Sequence, residues 1–160
     1  MIVIADTSPI NYLIWIEKID VLPKLYGRIL TPPSVSTELG SAMAPPQVRR
    51  WIAQPPLWLE VQAPSQPPDT ALVEARLGTG ERDAILLAQE LDADELIIDE
   101  LRGRQEASRR HLHFIGTLGV PRLAGDHALI DFRQAIGQLR STNFYIEPKL
   151  LARLMKDDKE

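Results

Sequence analysis

The chain has 160 residues, of which 25% are charged and 44% hydrophobic, with a net charge of −4 and no cysteine. That length suits one domain with a real core, and the missing cysteines exclude disulfides, thiolate metal sites and a cysteine nucleophile. No apolar run approaches the roughly 20 residues of a membrane span and no basic segment precedes the first apolar stretch, so neither a membrane segment nor a signal peptide is expected, and a cytoplasmic location is.

The first predicted element is a strand over Ile2, Val3 and Ile4. Its unbroken β-branched run is the pattern of a strand covered on both faces in a parallel sheet. Asp6 ends it. Thr7 and Ser8 can cap a helix, Pro9 suits its first position, and Ile10 to Ile16 supply an apolar body. Ligands of open α/β sheets bind at the carboxyl ends of strands, which is where Asp6 lies. As a residue type, Asp6 could equally serve only as a cap or turn former.

A second short helix is expected within Glu17 to Tyr26, interrupted or restarted at Pro23, and Arg28 to Leu30 reads as a strand. Pro32 and Pro33 then break the chain before a helix carrying Val35, Glu38 and Leu39, which Gly40 stops. Pro45 and Pro46 open another, with Val48, Trp51 and Ile52 inward and Arg49 and Arg50 outward. Leu57 to Val61 reads as a strand that includes Trp58. Residues Ala63 to Asp69, rich in proline, form a linker too short to separate domains.

A helix is expected from Thr70 to Leu77 and another from Glu81 to Leu91, joined through Gly78, Thr79 and Gly80. Leu96, Ile97 and Ile98 form a second apolar strand ending on a carboxylate, Asp99. Leu101 to His111 is a basic helix, His113 to Ile115 a short strand, and helices follow from Thr117, the last after Pro148 with Leu150, Leu151 and Leu154. A single domain over residues 1–155 with a charged tail at 156–160 is the expected organisation. Strands alternating with helices mean an α/β fold with a mainly parallel sheet.

The acids Asp6, Glu38, Glu81, Asp83, Asp99 and Glu100 fall at predicted strand ends or in the first turns of predicted helices. If the two apolar strands are neighbours, Asp6 and Asp99 share one edge. Each acid has an ordinary explanation: Glu81 and Asp83 complement a helix dipole, Asp99 can cap a helix, and Glu38 can simply be solvated. Two apolar strands each ending in Asp exceed what capping requires. Clustered carboxylates raise one another's pKa and stay ionised comfortably only around a cation. A hard ion such as Mg²⁺ or Mn²⁺ on oxygen ligands can polarise a phosphate and activate water, the chemistry of phosphodiester hydrolysis.

Other chemistries fit less well. Gly78-Thr79-Gly80 lacks a third glycine and does not follow a strand, no phosphate-cradling loop ends in Gly-Lys-Ser/Thr, and Ser8, Ser36 and Ser41 lack a nucleophile's context. His111 and His113 lie two apart and would face opposite ways, a poor metal pair. Arg102, Arg104, Arg109 and Arg110 follow Asp99 within a few turns and could hold a nucleic-acid backbone, although such a run is often a solvated face.

Together, Asp6-Thr-Ser-Pro after an apolar strand, Glu38 after Pro-Pro, Gly80-Glu-Arg-Asp-Ala-Ile, Leu-Ile-Ile-Asp99 before an Arg-rich helix, and Gly116-Thr-Leu-Gly119 resemble the PIN-domain superfamily, and more closely its DUF3368 branch, grouped with VapC-like toxins of toxin-antitoxin systems. The resemblance implies a Rossmann-like three-layer α/β/α sandwich and an endoribonuclease dependent on Mg²⁺ or Mn²⁺. Carried over by position, Asp6, Glu38, Asp83 and Asp99 match the catalytic acids. Asp6, Asp83, Asp99 and Glu81 match the metal-site acids, Glu81 standing just before the third position, with either Glu81 or Asp83 the one that faces the metal. Thr7 and Ser8 match supporting hydroxyls, and RNA, a small antitoxin protein and a second copy of the chain are the implied partners. This chain departs from many VapC-like sequences in having Ile98 where they carry Thr or Ser.

Two rival readings differ in class. A nucleic-acid-binding or interaction domain could keep the acids with little catalysis. A receiver-type phosphoacceptor would want an acidic pair after the first strand and a lysine at a later strand end, and neither stands in the sequence.

Overall fold

The computed structural model describes residues 1–157. Five parallel strands form the central sheet among the described residues: β1 (Val3–Ala5), β2 (Ile29–Thr31), β3 (Leu59–Val61), β4 (Glu95–Ile97) and β5 (Phe114–Ile115), in spatial order β3-β2-β1-β4-β5. The chain builds outward from β1 through β2 to β3, then returns to place β4 on the other side of β1. That reversal opens a crevice between β1 and β4 at their carboxyl ends.

The strands are short and carry side chains that alternate between faces, so both faces must be covered. Val3, Ala5, Ile29 and Ile97 pack into one core with helices α1 (Thr7–Trp15), α2 (Val21–Tyr26), α3 (Pro33–Leu39), α4 (Pro46–Ala53) and α8 (Gly119–Asp126). Ile4, Leu30, Leu96 and Ile98 face the opposite core, with Leu72 of α5 (Thr70–Glu74), Ala84 to Ala88 of α6 (Thr79–Glu90) and Ala107 of α7 (Leu101–Arg109). The result is a three-layer α/β/α sandwich with an all-parallel sheet. Two further helices, α9 (Phe132–Arg140) and α10 (Pro148–Asp157), follow. No helix among the described residues is long and apolar enough to cross a membrane.

Some boundaries differ from those the sequence suggests. Trp58 precedes β3, where its carbonyl takes the Ile29 N–H at 2.8 Å and its ring packs on Trp51, 5.8 Å between centroids. Helix α5 stops at Glu74, short of Leu77, because the chain turns at Arg76 with φ of 55°. Lys156 and Asp157, expected in a tail, extend α10, and residues 158–160 lie outside those described.

Candidate active site

Register places the first two acids. β1 pairs with β4 as Val3 with Glu95, Ile4 with Leu96 and Ala5 with Ile97, and the Asp6 N–H reaches the Ile97 carbonyl at 3.0 Å. Asp6 and Asp99 therefore leave the sheet at one edge, beside the crevice. Buried Thr31 ties β2 to the same edge by donating its hydroxyl to the Ala5 carbonyl at 2.8 Å.

Asp6 stands at the N-cap of α1, yet its side chain makes no cap hydrogen bond. Its residue is only 3% exposed, and Oδ1 is buried without a partner. A carboxylate in that position is costly unless something else satisfies it. Burial, reinforced by the charges of Glu81 and Glu38, pushes its carboxyl up to about 7.

Glu81, in the first turn of α6, is divided between two roles. Its Oε1 accepts the Gly78 N–H at 3.1 Å, while Oε2 is buried without a partner. Desolvation raises its pKa, and the charges of Glu100 and Glu38 add to the rise. Glu38, on α3, is exposed but anchored: Oε2 accepts the Thr7 hydroxyl at 2.5 Å and Oε1 the Gly80 N–H at 3.0 Å. Asp6, Thr7, Ser8, Glu38, Gly78, Glu81 and Glu100 line one cleft of about 150 Å³.

Asp99 is held more tightly than its neighbours. Its Oδ1 accepts the Thr117 N–H at 2.8 Å and Arg104 at 3.3 Å, and its Oδ2 accepts the Thr117 hydroxyl. The helix after it is capped by position at Glu100, so Asp99 does not serve as the cap. Gly116 makes the clamp possible, since a Cβ there would meet the Arg104 guanidinium and lie 2.9 Å from Asp99 Oδ1.

Asp83 is placed elsewhere. It lies two positions, about 200° of helical turn, beyond Glu81. Its Oδ2 accepts the Ser34 hydroxyl at 2.7 Å and its Oδ1 the Arg82 guanidinium at 3.1 Å, and it does not line the cleft. Of the acids expected together, the structure brings Asp6, Glu38 and Glu81 into the cleft, whereas Asp99 lines a neighbouring hollow with Ser8, Glu100 and Arg104 and Asp83 faces Ser34.

The basic helix also divides. Arg110, with a side chain 9% exposed, donates to Glu106 at 2.9 Å, to both Asp69 oxygens at 2.8 and 2.9 Å, and to Gln89 at 2.7 Å. These contacts tie the end of α7 to α6 and to the start of α5, and they leave Arg110, expected on a nucleic-acid surface, engaged with protein groups. Arg104 is half-buried on Asp99, whereas Arg102 is exposed and Arg109, although it reaches Glu106 at 3.1 Å, is 70% exposed in its side chain.

Thr117 joins the site without being legible as a site residue, and Glu100, named among the clustered acids, has a place in the cleft. Thr117 was legible only as part of Gly-Thr-Leu-Gly, and the nearness of Gly116 to Asp99 shows why glycine must precede it. Glu100 enters the cleft because the turn from β4 into α7 brings it beside Ser8 and Glu81.

The donor chemistry fits a hard divalent cation. Asp6 Oδ1 and Glu81 Oε2 are buried anionic acceptors without protein partners, and Mg²⁺ commonly takes one or two carboxylates with the rest of its shell as water. Among the described residues no group of three or more acids or histidines is arranged as a ready-made metal cage. A comparison with curated proteins finds none that matches the chain. Over residues 2–160, however, the sequence matches the DUF3368 family, described as a PIN domain, and the chain belongs to that family.

Proposed function

We propose that this chain is a metal-dependent endoribonuclease, with Asp6 and Glu81 holding a Mg²⁺ or Mn²⁺ ion at the crevice between β1 and β4. The observation that carries the reading is the pair of buried, unpartnered carboxylate oxygens, Asp6 Oδ1 and Glu81 Oε2, in a chain of the PIN-domain family. When bound, the ion would stabilise charge on the scissile phosphate and lower the pKa of water. The protein's own groups do the rest. Glu38, held by Thr7 and Gly80, stands at the cleft to orient water and take its proton. Ser8 lines the cleft beside Asp6, and Asp99, fixed by Thr117 and Arg104, adds negative potential behind it. Arg102 and Arg109 are the exposed cations of α7 available to RNA phosphates.

A toxin role, a small antitoxin protein and a homodimer belong to the same proposal. Helix α10 supports a protein-binding surface, since it carries Leu150, Leu151, Leu154 and Met155 while none of its residues is fully buried. The test is cleavage of mixed-sequence single-stranded RNA in Mn²⁺, beside EDTA and the Asp6→Asn and Glu81→Gln variants. Metal-dependent cutting lost in both variants supports the assignment; RNA binding without cutting by the wild type would move it to a binding domain.

A further inference from the structure

The acid cleft continues along α1 into a larger hollow of about 440 Å³, and Thr7 and Glu38 line both. Thr7, Asn11 and Trp15 follow one another at i, i+4 and i+8, so they form one face of α1 that advances about 6 Å per step away from Asp6. Met43 and Asn143 stand on the other sides of the hollow.

Its chemistry differs from that of the cleft. No Lys or Arg lines it, and its single charged residue, Glu38, is engaged by Thr7 and Gly80. A phosphate would find no cation there. A flat, neutral group with hydrogen-bonding edges would find an indole and two amides. The indole is held in place: the Trp15 ring lies parallel to Tyr12, 6.0 Å between centroids and 5° apart, and Tyr12 meets Phe144 edge-on at 4.9 Å. The Tyr12 hydroxyl donates to Asn143 Oδ1 at 2.7 Å, which directs the Asn143 amide NH₂ away as a donor. Met43 is 93% exposed at the rim, a flexible apolar wall.

From this placement we infer that the hollow is a nucleobase subsite, in which Trp15 stacks on the base next to the scissile phosphate while Asn11 and Asn143 meet its edge. The inference rests on the ribonuclease reading. It names single-stranded RNA as the substrate form, because a base paired within a helix cannot leave its stack without cost. Tyr12 is a positioning residue that acts through Trp15 and Asn143.

The test has two arms. In the first, wild type, Trp15→Ala, Trp15→Phe and Asn11→Ala cut mixed-sequence single-stranded RNA in Mn²⁺, and KM, kcat and the bases flanking each cut are read. Trp15→Ala is expected to raise KM by about 10- to 100-fold, with much of the effect restored by Trp15→Phe, and Asn11→Ala to change base preference. Unchanged KM and base preference in both Trp15→Ala and Asn11→Ala overturn the subsite. In the second arm, binding of homopolymeric RNAs of A, C, G and U to the Asp6→Asn protein is measured in EDTA, with thermal melts to show that each Trp15 variant is folded. Loss of binding in Trp15→Ala, recovered in Trp15→Phe, supports the subsite even where wild type fails to cut, so the two proposals fail separately. If Trp15→Ala leaves RNA binding intact but loses a protein partner, the hollow is a protein-docking site and the inference falls.

Discussion

The Ser34 hydroxyl donates to Asp83 Oδ2 across 2.7 Å, one turn along α3 from Glu38, whose carboxylate takes the Gly80 N–H. These two contacts join α3 to α6. Asp83 is consumed in the helix contact, and Glu81 is left with an unpartnered oxygen.

Asp83→Ala is therefore expected to cost about 1 kcal/mol of stability through the lost hydrogen bond and to leave most metal-dependent cleavage in place. Glu81→Gln keeps an oxygen for the Gly78 N–H but loses the charge, and is expected to lower cleavage by about 100-fold or more with little change in stability. Urea denaturation and RNA cleavage on both variants distinguish them. Equal loss of cleavage in the two would return Asp83 to the site.

Gly80→Ala probes the anchoring of Glu38. A Cβ at Gly80 would lie 2.8 Å from Glu38 Oε1 and 3.0 Å from Oε2, the far end of a flexible side chain. The carboxylate can swing away, so the fold should persist within about 1 kcal/mol while cleavage falls by about 10-fold or more. A melting curve close to that of the wild type, with reduced kcat, is the expected pair of results.

The Asp6 carboxyl, raised from 3.8 to about 7 by burial, makes stability of the metal-free protein depend on pH. Between those values the folded chain holds a proton that the unfolded chain has lost, so stability is greatest near the lower value and declines as pH rises through 7. Glu81, also raised, contributes with the same sign. Asp69, lowered to about 2 by Arg110, acts oppositely: its contribution is present above its ordinary value and lost as pH falls below it. Urea midpoints in EDTA between about pH 4 and 9 should show a decline for the wild type that is much flatter in Asp6→Asn. Mn²⁺ should raise the melting temperature most at the alkaline end, because protons compete for the same oxygens.

The arginines of α7 should separate by environment. Arg110→Ala leaves Glu106 buried with a weakened set of partners and is expected to cost on the order of 3 kcal/mol, with no effect on the salt dependence of RNA binding. Arg102→Ala should be neutral for stability and lower RNA affinity, reducing the slope against salt concentration by about 1. Salt titrations of RNA binding beside denaturation curves test both.

Much of the architecture was legible because strand burial is written in consecutive residues. Ile2 to Ile4 and Leu96 to Ile98 announce strands covered on both faces, and the Asp that follows each run must emerge at a carboxyl edge, so Asp6 and Asp99 could be placed before any coordinates. The prolines before Val35 and Val48 likewise marked helix starts, since proline needs no N–H there. What only the tertiary structure decided were the partners that lie far apart in the chain. Thr117 meets Asp99 18 residues away, Gly80 meets Glu38 42 away, and Asp69 takes up Arg110 41 away. The rotation of α6 about its axis is set by packing against the sheet and α3, which brings Glu81 rather than Asp83 to the cleft. Local pattern records whether a residue can be buried; which carboxylate is left unpartnered depends on every donor the fold brings within reach.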